Sequence, residues 1–441
     1  MASTTTYGQF PGVQVTTAGG AITGVAVGRE QNLILIGNGD SSGSAAVNEP
    51  TQIKSRLDAG RKFGDGSELA TQMKDALANG ANINFLYGIR YEEVSVSAEN
   101  KTTSSFTLDR GGNPGPIIED KSLITVKEDP GNENTDLDIE FRYDSPPAGD
   151  TSGTAYINPI TAEVEVKEES TVDFDVNYSY PDIASALGEA STVIGDEETA
   201  IIAVLTENED IATDLSGEVN TLRGEYKLAL GLQAAEPNAN NDDSTNPDYD
   251  TGAYADSIDN DSMFLHAPAR KEDSVGTITG ALGGLMAGNA LDDSIYSDSL
   301  TVDNLDDRLS KSEAQDLRDA QVVPVRQPPQ GGSIEVAGNK STSTESDWVR
   351  DYFTKRIVDQ TILIAKTVGD SVIGRINDQQ TRETVETTIT SELKGLEEDG
   401  LITTDYFVDV YEVDTNTVGI DLGITPEGVV KRVEVSITIN A

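Results

Sequence analysis

Three glycines follow a run of aliphatic residues in "NLILIGNGD" and just beyond it, where Gly37, Gly39 and Gly43 have the spacing G-x-G-x-x-x-G. A loop of this kind holds phosphate when it runs straight into a helix, whose free N–H groups and dipole bind the anion. Here "SAAVNEP" follows, Pro50 precedes the next helix-like segment, and no Lys stands at Walker spacing. The expectation is a turn at a strand end whose glycines supply positive φ.

Other chemistry is as sparsely provided. With no cysteine, disulfides, thiolate nucleophiles and Cys-ligated metals are excluded. One histidine, His266 in "SMFLHAPAR", excludes any site needing two imidazoles, and reads as a strand-end residue. Asp248, Asp250, Asp259 and Asp261 could offer oxygens to Ca²⁺, but EF-hand spacing fails and a hydrated acidic loop is expected. No G-x-S-x-G elbow occurs, and among 77 acidic residues no catalytic carboxylate pair can be singled out. The N-x-[ST] sequons at Asn100, Asn177, Asn260 and Asn339 are what chance gives so polar a chain. Trp348, Tyr352 and Phe353 read as core packing. Arg350, Lys355 and Arg356 form a local basic cluster, to be read either as surface pairing with Asp351 and Asp359 or as a contact for an acidic partner. No enzyme and no cofactor are expected.

The 441 residues suffice for two or three domains. Against 77 Asp and Glu stand 31 Lys and Arg, a net charge of −46 spread along the whole chain. Such self-repulsion opposes compaction in dilute buffer, and is screened in molar salt, where the Debye length falls to about 3 Å. A halophilic source is therefore expected, and direct nucleic-acid binding is disfavoured for want of a basic stripe. The N-terminus has neither a basic n-region nor an apolar h-region, and no stretch approaches about 18 apolar residues. A soluble product made without a secretion signal is expected, with no membrane insertion.

Periodicity divides the chain. Residues 1–20 read as an extended arm holding Val13 and Val15. Residues 21–92 give strand, helix and strand: in "DGSELATQMKDALANG", Asp65 and Glu68 have capping-box spacing and Gly80 stops the helix. From 93 to 180 the period becomes two, with Val172, Phe174, Val176, Tyr178 and Tyr180 on one face, which predicts an inserted all-β domain. Residues 181–425 resume the α/β pattern around a polar acidic loop at 236–262, and two amphipathic helices are expected at 346–366 and 378–398. In 426–441, Val433, Val435, Ile437 and Ile439 alternate with polar neighbours, giving a C-terminal arm strand with a face to bury and a free edge. The fold class is thus α/β, mixed with α+β, with an all-β insertion and extended arms.

Taken in order, "FPGVQVTTAGG", "GVAVGREQNLILIGNGD", "INFLYGIRY", the 328–402 passage beginning "PPQGGSIEVAG" and the closing "DYFVDVYEV" and "VVKRVEVSITIN" resemble the contractile tail sheath proteins of tailed viruses and related injection machines. The resemblance is collinear over about 60% of the chain; "AGNKSTSTESDW" departs from the aromatic–Gly–Arg-Thr run of many relatives. It implies a structural subunit, in rings expected to be six-fold, that polymerises by strand exchange through Val13, Val15, Val433, Val435, Ile437 and Ile439. Its implied partners are other copies of itself, a tail tube protein, baseplate and tail terminator proteins. Arg350, Lys355 and Arg356 become candidate inner-tube contacts. The implied location is the virion tail, assembled in the host cytoplasm. The competing reading is a cell-surface or secreted β-sandwich binding protein of a halophile.

Overall fold

The computed structural model describes residues 4–7, 15–18, 31–108, 116–119, 121–128, 135–142, 153–166, 173–195, 198–235, 255, 257–268, 277–303, 305, 308–327, 332–345 and 350–428. Near the N-terminus, β1 (Thr4–Tyr7) pairs antiparallel with β2 (Val15–Ala18). Where the sequence suggested an extended arm, this segment has a partner within its own chain.

The core is a nine-stranded sheet. It contains β3 (Asn32–Gly37), β4 (Thr51–Gln52), β5 (Leu86–Arg90), β14 (Thr199–Val204), β15 (Leu228–Ala234), β16 (Met263–Ala267), β17 (Ser299–Leu300), β18 (Val323–Arg326) and β19 (Ile334–Val336), the intervening numbers belonging to the insertion below. Its order is β17-β19-β18-β16-β15-β14-β3-β5-β4, and the six strands from β18 to β5 are parallel. The aliphatic run in β3 follows from its place. Leu33 and Leu35 enter one apolar cluster, Ile34 and Ile36 the other, so no position can be polar. Helices α1 (Arg56–Phe63), α2 (Glu68–Ala78) and α5 (Thr279–Gly288) cover the first face; α3 (Ile183–Ala190), α4 (Glu209–Gly224) and α6 (Lys311–Asp319) cover the second.

The start of α2 differs in detail from expectation. Ser67 is the N-cap, accepting from the Ala70 amide, while Asp65 pairs with Lys74 at 2.6 Å. α5 lies against α2 through Gly280, Gly284 and Gly288, one turn apart. A Cβ on Gly280 would stand 2.5 Å from the Gln72 carbonyl oxygen, and one on Gly284 2.6 Å from the Ala76 Cα.

The segment between β5 and α3 forms two four-stranded sheets. One, ordered β6-β13-β8-β9, contains β6 (Glu92–Lys101), β8 (Thr125–Glu128), β9 (Thr135–Asp136) and β13 (Phe174–Asp182). The other, ordered β10-β11-β12-β7, contains β7 (Ser105–Thr107), β10 (Asp138–Phe141), β11 (Thr154–Ile157) and β12 (Glu163–Val166). The alternating Phe174, Val176 and Tyr178 point into their shared core; Val172 lies outside the described residues. The chain enters on β6 and leaves on β13, which are hydrogen-bonded neighbours from Glu92↔Asp182 onward.

A C-terminal module follows, made of α7 (Tyr352–Asp370), α8 (Gln379–Glu398) and the hairpin β20 (Phe407–Asp414)–β21 (Thr417–Gly423). Asp378 caps α8, whose stripe of Val385, Ile389, Leu393 and Leu396 is buried against the hairpin. α7 is not the amphipathic helix expected at 346–366. It begins at Tyr352 after its cap Asp351, and every residue from Tyr352 to Ala365 is buried. One side of it joins the α8–hairpin cluster and the other packs on Tyr226 and Leu228 of the core.

Candidate assembly surfaces

Of the residues expected to exchange strands, Val13 and Val433, Val435, Ile437 and Ile439 lie outside the described residues. Val15 opens β2 opposite Tyr7. The described chain ends beside the hairpin: Ile402 bridges Pro426, the Thr403 amide donates to the Thr425 carbonyl at 2.8 Å, and the Glu427 amide to the Leu401 carbonyl at 2.9 Å. The last described residues therefore lie at the base of β20–β21. That hairpin is a sheet of two strands only, so among the described residues both of its outer edges carry unpaired N–H and C=O groups. Its turn is fixed by Asp414, whose carboxylate accepts from the Asn416 amide (2.7 Å) and the Thr417 hydroxyl (2.9 Å); these bonds lower its pKa.

The basic cluster is corrected by burial. Lys355 and Arg356 are 3% and 5% exposed. Lys355 Nζ pairs with Asp261 Oδ2 at 2.8 Å, and Arg356 donates to the carbonyls of Ala290 (2.6 Å) and Asn289 (2.9 Å). Both side chains fasten α7 to the core, since a buried charged group costs free energy unless it is bonded. Arg350, which is half-buried, donates to the Ser343 carbonyl at 3.4 Å. Beside them, Arg223 forks onto Asp359, with Nη1 3.0 Å from Oδ2, both side chains almost fully buried.

The acidic loop divides likewise. Asp248 and Asp250 lie outside the described residues. Asp259 Oδ1 accepts from the Thr344 amide (2.7 Å) and hydroxyl (2.9 Å). Burial pushes the Asp261 carboxyl up, but the Lys355 and Arg223 cations and hydrogen bonds from Lys355 and Ser262 outweigh it and hold the pKa at about 2. Both carboxylates thus serve the chain's own structure. Among the described residues no cluster of three potential metal ligands occurs, and no helix is long and apolar enough to cross a membrane.

The glycine loop is explained by close approach, not by positive φ, since Gly37, Gly39 and Gly43 all lie outside the left-handed region. A Cβ on Gly39 would meet the Arg90 side chain at 2.9 Å, and one on Gly43 the Gly64 amide nitrogen at 2.7 Å. The loop is stitched to the end of α1 by Asp40 N–H donating to the Phe63 carbonyl (2.7 Å) and Ala45 N–H to that of Lys62 (2.8 Å). It nevertheless borders a cleft of about 940 Å³ at the carboxyl ends of β3 and β14. There the strand order reverses, which is where α/β sheets hold ligands. The cleft walls carry five carboxylates, Asp40, Glu68, Glu93, Glu119 and Glu207, against one cation, Lys121. The helix starts beside it are capped by Ser67 and Asn208 and followed by Glu68 and by Glu209 and Asp210. An anion would meet carboxylates instead of free amides, so this cleft does not cradle phosphate. Burial and the nearby Glu68 and Glu93 raise the Tyr91 hydroxyl well above its usual pKa.

His266 is fully buried in β16, with Nε2 2.8 Å from the Thr279 hydroxyl. Burial drives its pKa down to about 4, against a smaller opposing hydrogen bond at Pro268. Tyr352 and Phe353 are core residues, as expected, while Trp348 lies outside the described residues. The Tyr352 hydroxyl donates to the Met286 carbonyl at 2.6 Å, and its ring meets Phe264 edge-on at 5.6 Å.

Sequence reasoning missed the outer face of the hairpin. There Phe407 and Tyr411 lie over Gly423 and Gly419, with Asp409 opposite Asp421. The signal was present as F-x-D-x-Y in one strand against G-x-D-x-G in the next.

No family model and no curated protein matches the sequence. Solved structures do match. The helical sheath of the anti-feeding prophage in its contracted state is 14% identical over 98% of this chain and 99% of that one, with a TM-score of 0.58. The contracted sheath of an extracellular contractile injection system, PVC, is 12% identical over 99% of both chains, with a TM-score of 0.58. A sheath tail protein from Listeria innocua is 14% identical over 92% and 96%, with a TM-score of 0.51. Core, insertion and C-terminal module together therefore have the mixed α/β fold seen in contractile sheath proteins.

Proposed function

We propose that this chain is the structural subunit of a contractile tail sheath, from a halophilic archaeal virus. It polymerises around an inner tube by exchanging end strands, and contracts to drive that tube through the host envelope. The observation that carries the reading is the two-stranded sheet β20–β21, which among the described residues is open on both edges. Strands added from neighbouring copies would extend it through ordinary main-chain hydrogen bonds. The full-length likeness to two contracted sheaths supports the same reading. Contraction is then a rearrangement of rigid bodies on strand hinges, the short form being lower in free energy, and it consumes no nucleotide. The partners are further copies in stacked, six-fold rings, a tail tube protein, and baseplate and terminator proteins. The particle is assembled in the host cytoplasm.

The test is to compare the full chain with residues 1–428 in molar KCl, by sedimentation and negative-stain microscopy. The full chain should form rings or tubes, and the shortened chain should stay monomeric with an unchanged far-UV spectrum. Tubes formed by the shortened chain would refute strand exchange.

A further inference from the structure

Of the seven exposed large apolar side chains among the described residues, five belong to the C-terminal module, which marks it as the surface most in need of a cover. Three, Phe407, Tyr411 and Val413, stand on the outer face of β20, away from α8. Between the two aromatic rings, Asp409 faces Asp421 directly across the ladder. Like charges in that position oppose strand pairing. The Tyr411 hydroxyl reaches Asp421 only at 3.5 Å. Two carboxylates with an aromatic ring on either side make a receptor for a guanidinium, which can ion-pair and stack on a ring at once.

The remaining two, Ile373 and Ile376, are 59% and 78% exposed in the loop joining α7 to α8, and they flank Arg375. Arg375 is exposed and makes no ion pair among the described residues. Its loop is held rigidly, with Asn377 Nδ2 donating to the carbonyls of Asp414 (2.8 Å) and Thr417 (3.3 Å) at the hairpin turn. In one chain, then, an arginine knob and an arginine receptor coexist without meeting.

We propose that the outer face of β20–β21 takes Arg375 of a second copy, with Ile373 and Ile376 of that copy covering the rings of Phe407 and Tyr411. The contact is heterologous, joining different patches of identical chains, so it repeats head to tail as rings and helices require. It rests on the self-assembly reading but is separate from strand exchange. It uses a sheet face where strand exchange uses sheet edges.

The natural chain has no cysteine, so single replacements report cleanly. Full-length I373C and V413C, which keep Arg375, Asp409 and Asp421 in place, would be mixed in molar KCl and treated with a short bis-maleimide, then analysed by denaturing gel, with a pelleting assay on the same sample. The expected result is a cross-linked dimer in the mixture, several-fold above either variant alone. In a second arm, Arg375→Asp should raise the concentration for half-pelleting about tenfold, and a D409R partner should restore it. Pelleting without the cross-link overturns the contact and leaves the sheath reading standing. Neither pelleting nor cross-linking overturns both. A cross-link from V413C to R432C, with none to I373C, would give the face to the C-terminal strand and likewise overturn the assignment.

Discussion

Gly284→Ala and Gly395→Ala are the same chemical change on two helices, and the structure gives them opposite signs. In an open helix the change stabilises by about 0.5–1 kcal/mol, since Gly loses more backbone entropy on folding. Gly395 is such a case: it lies in α8 with nothing within 4 Å of a new methyl. At Gly284 the methyl would stand 2.6 Å from the Ala76 Cα and 2.8 Å from its carbonyl carbon, atoms of the α2 backbone that no rotamer change can clear. Restoring ordinary contact requires α2 and α5 to part by roughly 1 Å, and a gap of that size forfeits a quarter to a half of the dispersion well along the seam. Overpacking of this kind costs about 1–3 kcal/mol, toward the upper end where backbone is the obstacle. After the gain in helix propensity, a net loss of about 2 kcal/mol is expected. Urea denaturation in molar salt, followed by the fluorescence of the single tryptophan, would measure both variants. If G284A is as stable as G395A, the glycine ridge does not set the separation of α2 and α5.

Asp359→Ala should cost about 3–5 kcal/mol, because it leaves the buried Arg223 guanidinium without its carboxylate, whereas R223M/D359L should be near neutral or better. Denaturation midpoints of the two variants check this, and equal losses would contradict it. The His266 imidazole binds its proton at about 4 in the folded chain and near 6.5 in the unfolded one. Below pH 6.5 the unfolded state takes up more protons, so stability should fall between pH 6.5 and 4 by about 3 kcal/mol and level off below. Replacing His266 with Gln should flatten that slope, measured as midpoint against pH.

What the sequence disclosed depended on how local the cause was. The strand in "NLILIG" was legible because burial on both faces leaves an unbroken aliphatic run, and α8 because its cap, its stripe and Gly400 all lie within one segment. α7 was misread because its polar residues look solvent-facing until their partners are known. Asp261 and Arg223 are far away in the chain, and no helical periodicity reports them. The glycine loop was recognised as a turn, but its cause is the Arg90 side chain and the end of α1, which only the fold brings near. At the N-terminus, short polar strands concealed the pairing of Thr4–Tyr7 with Val15–Ala18. The acidic outer face of the hairpin was hidden differently: Asp409 and Asp421 acquire meaning only once the register sets them opposite each other.

Because β6 and β13 run side by side at their root, the polypeptide departs from the core and returns to it within one strand spacing. Away from that root the insertion also touches the core, where the Ile160 carbonyl accepts from the Asn208 side chain at the cap of α4 (2.9 Å). That root is a port for grafting: a foreign domain whose own ends lie close together could replace residues 93–180 and be carried by the core.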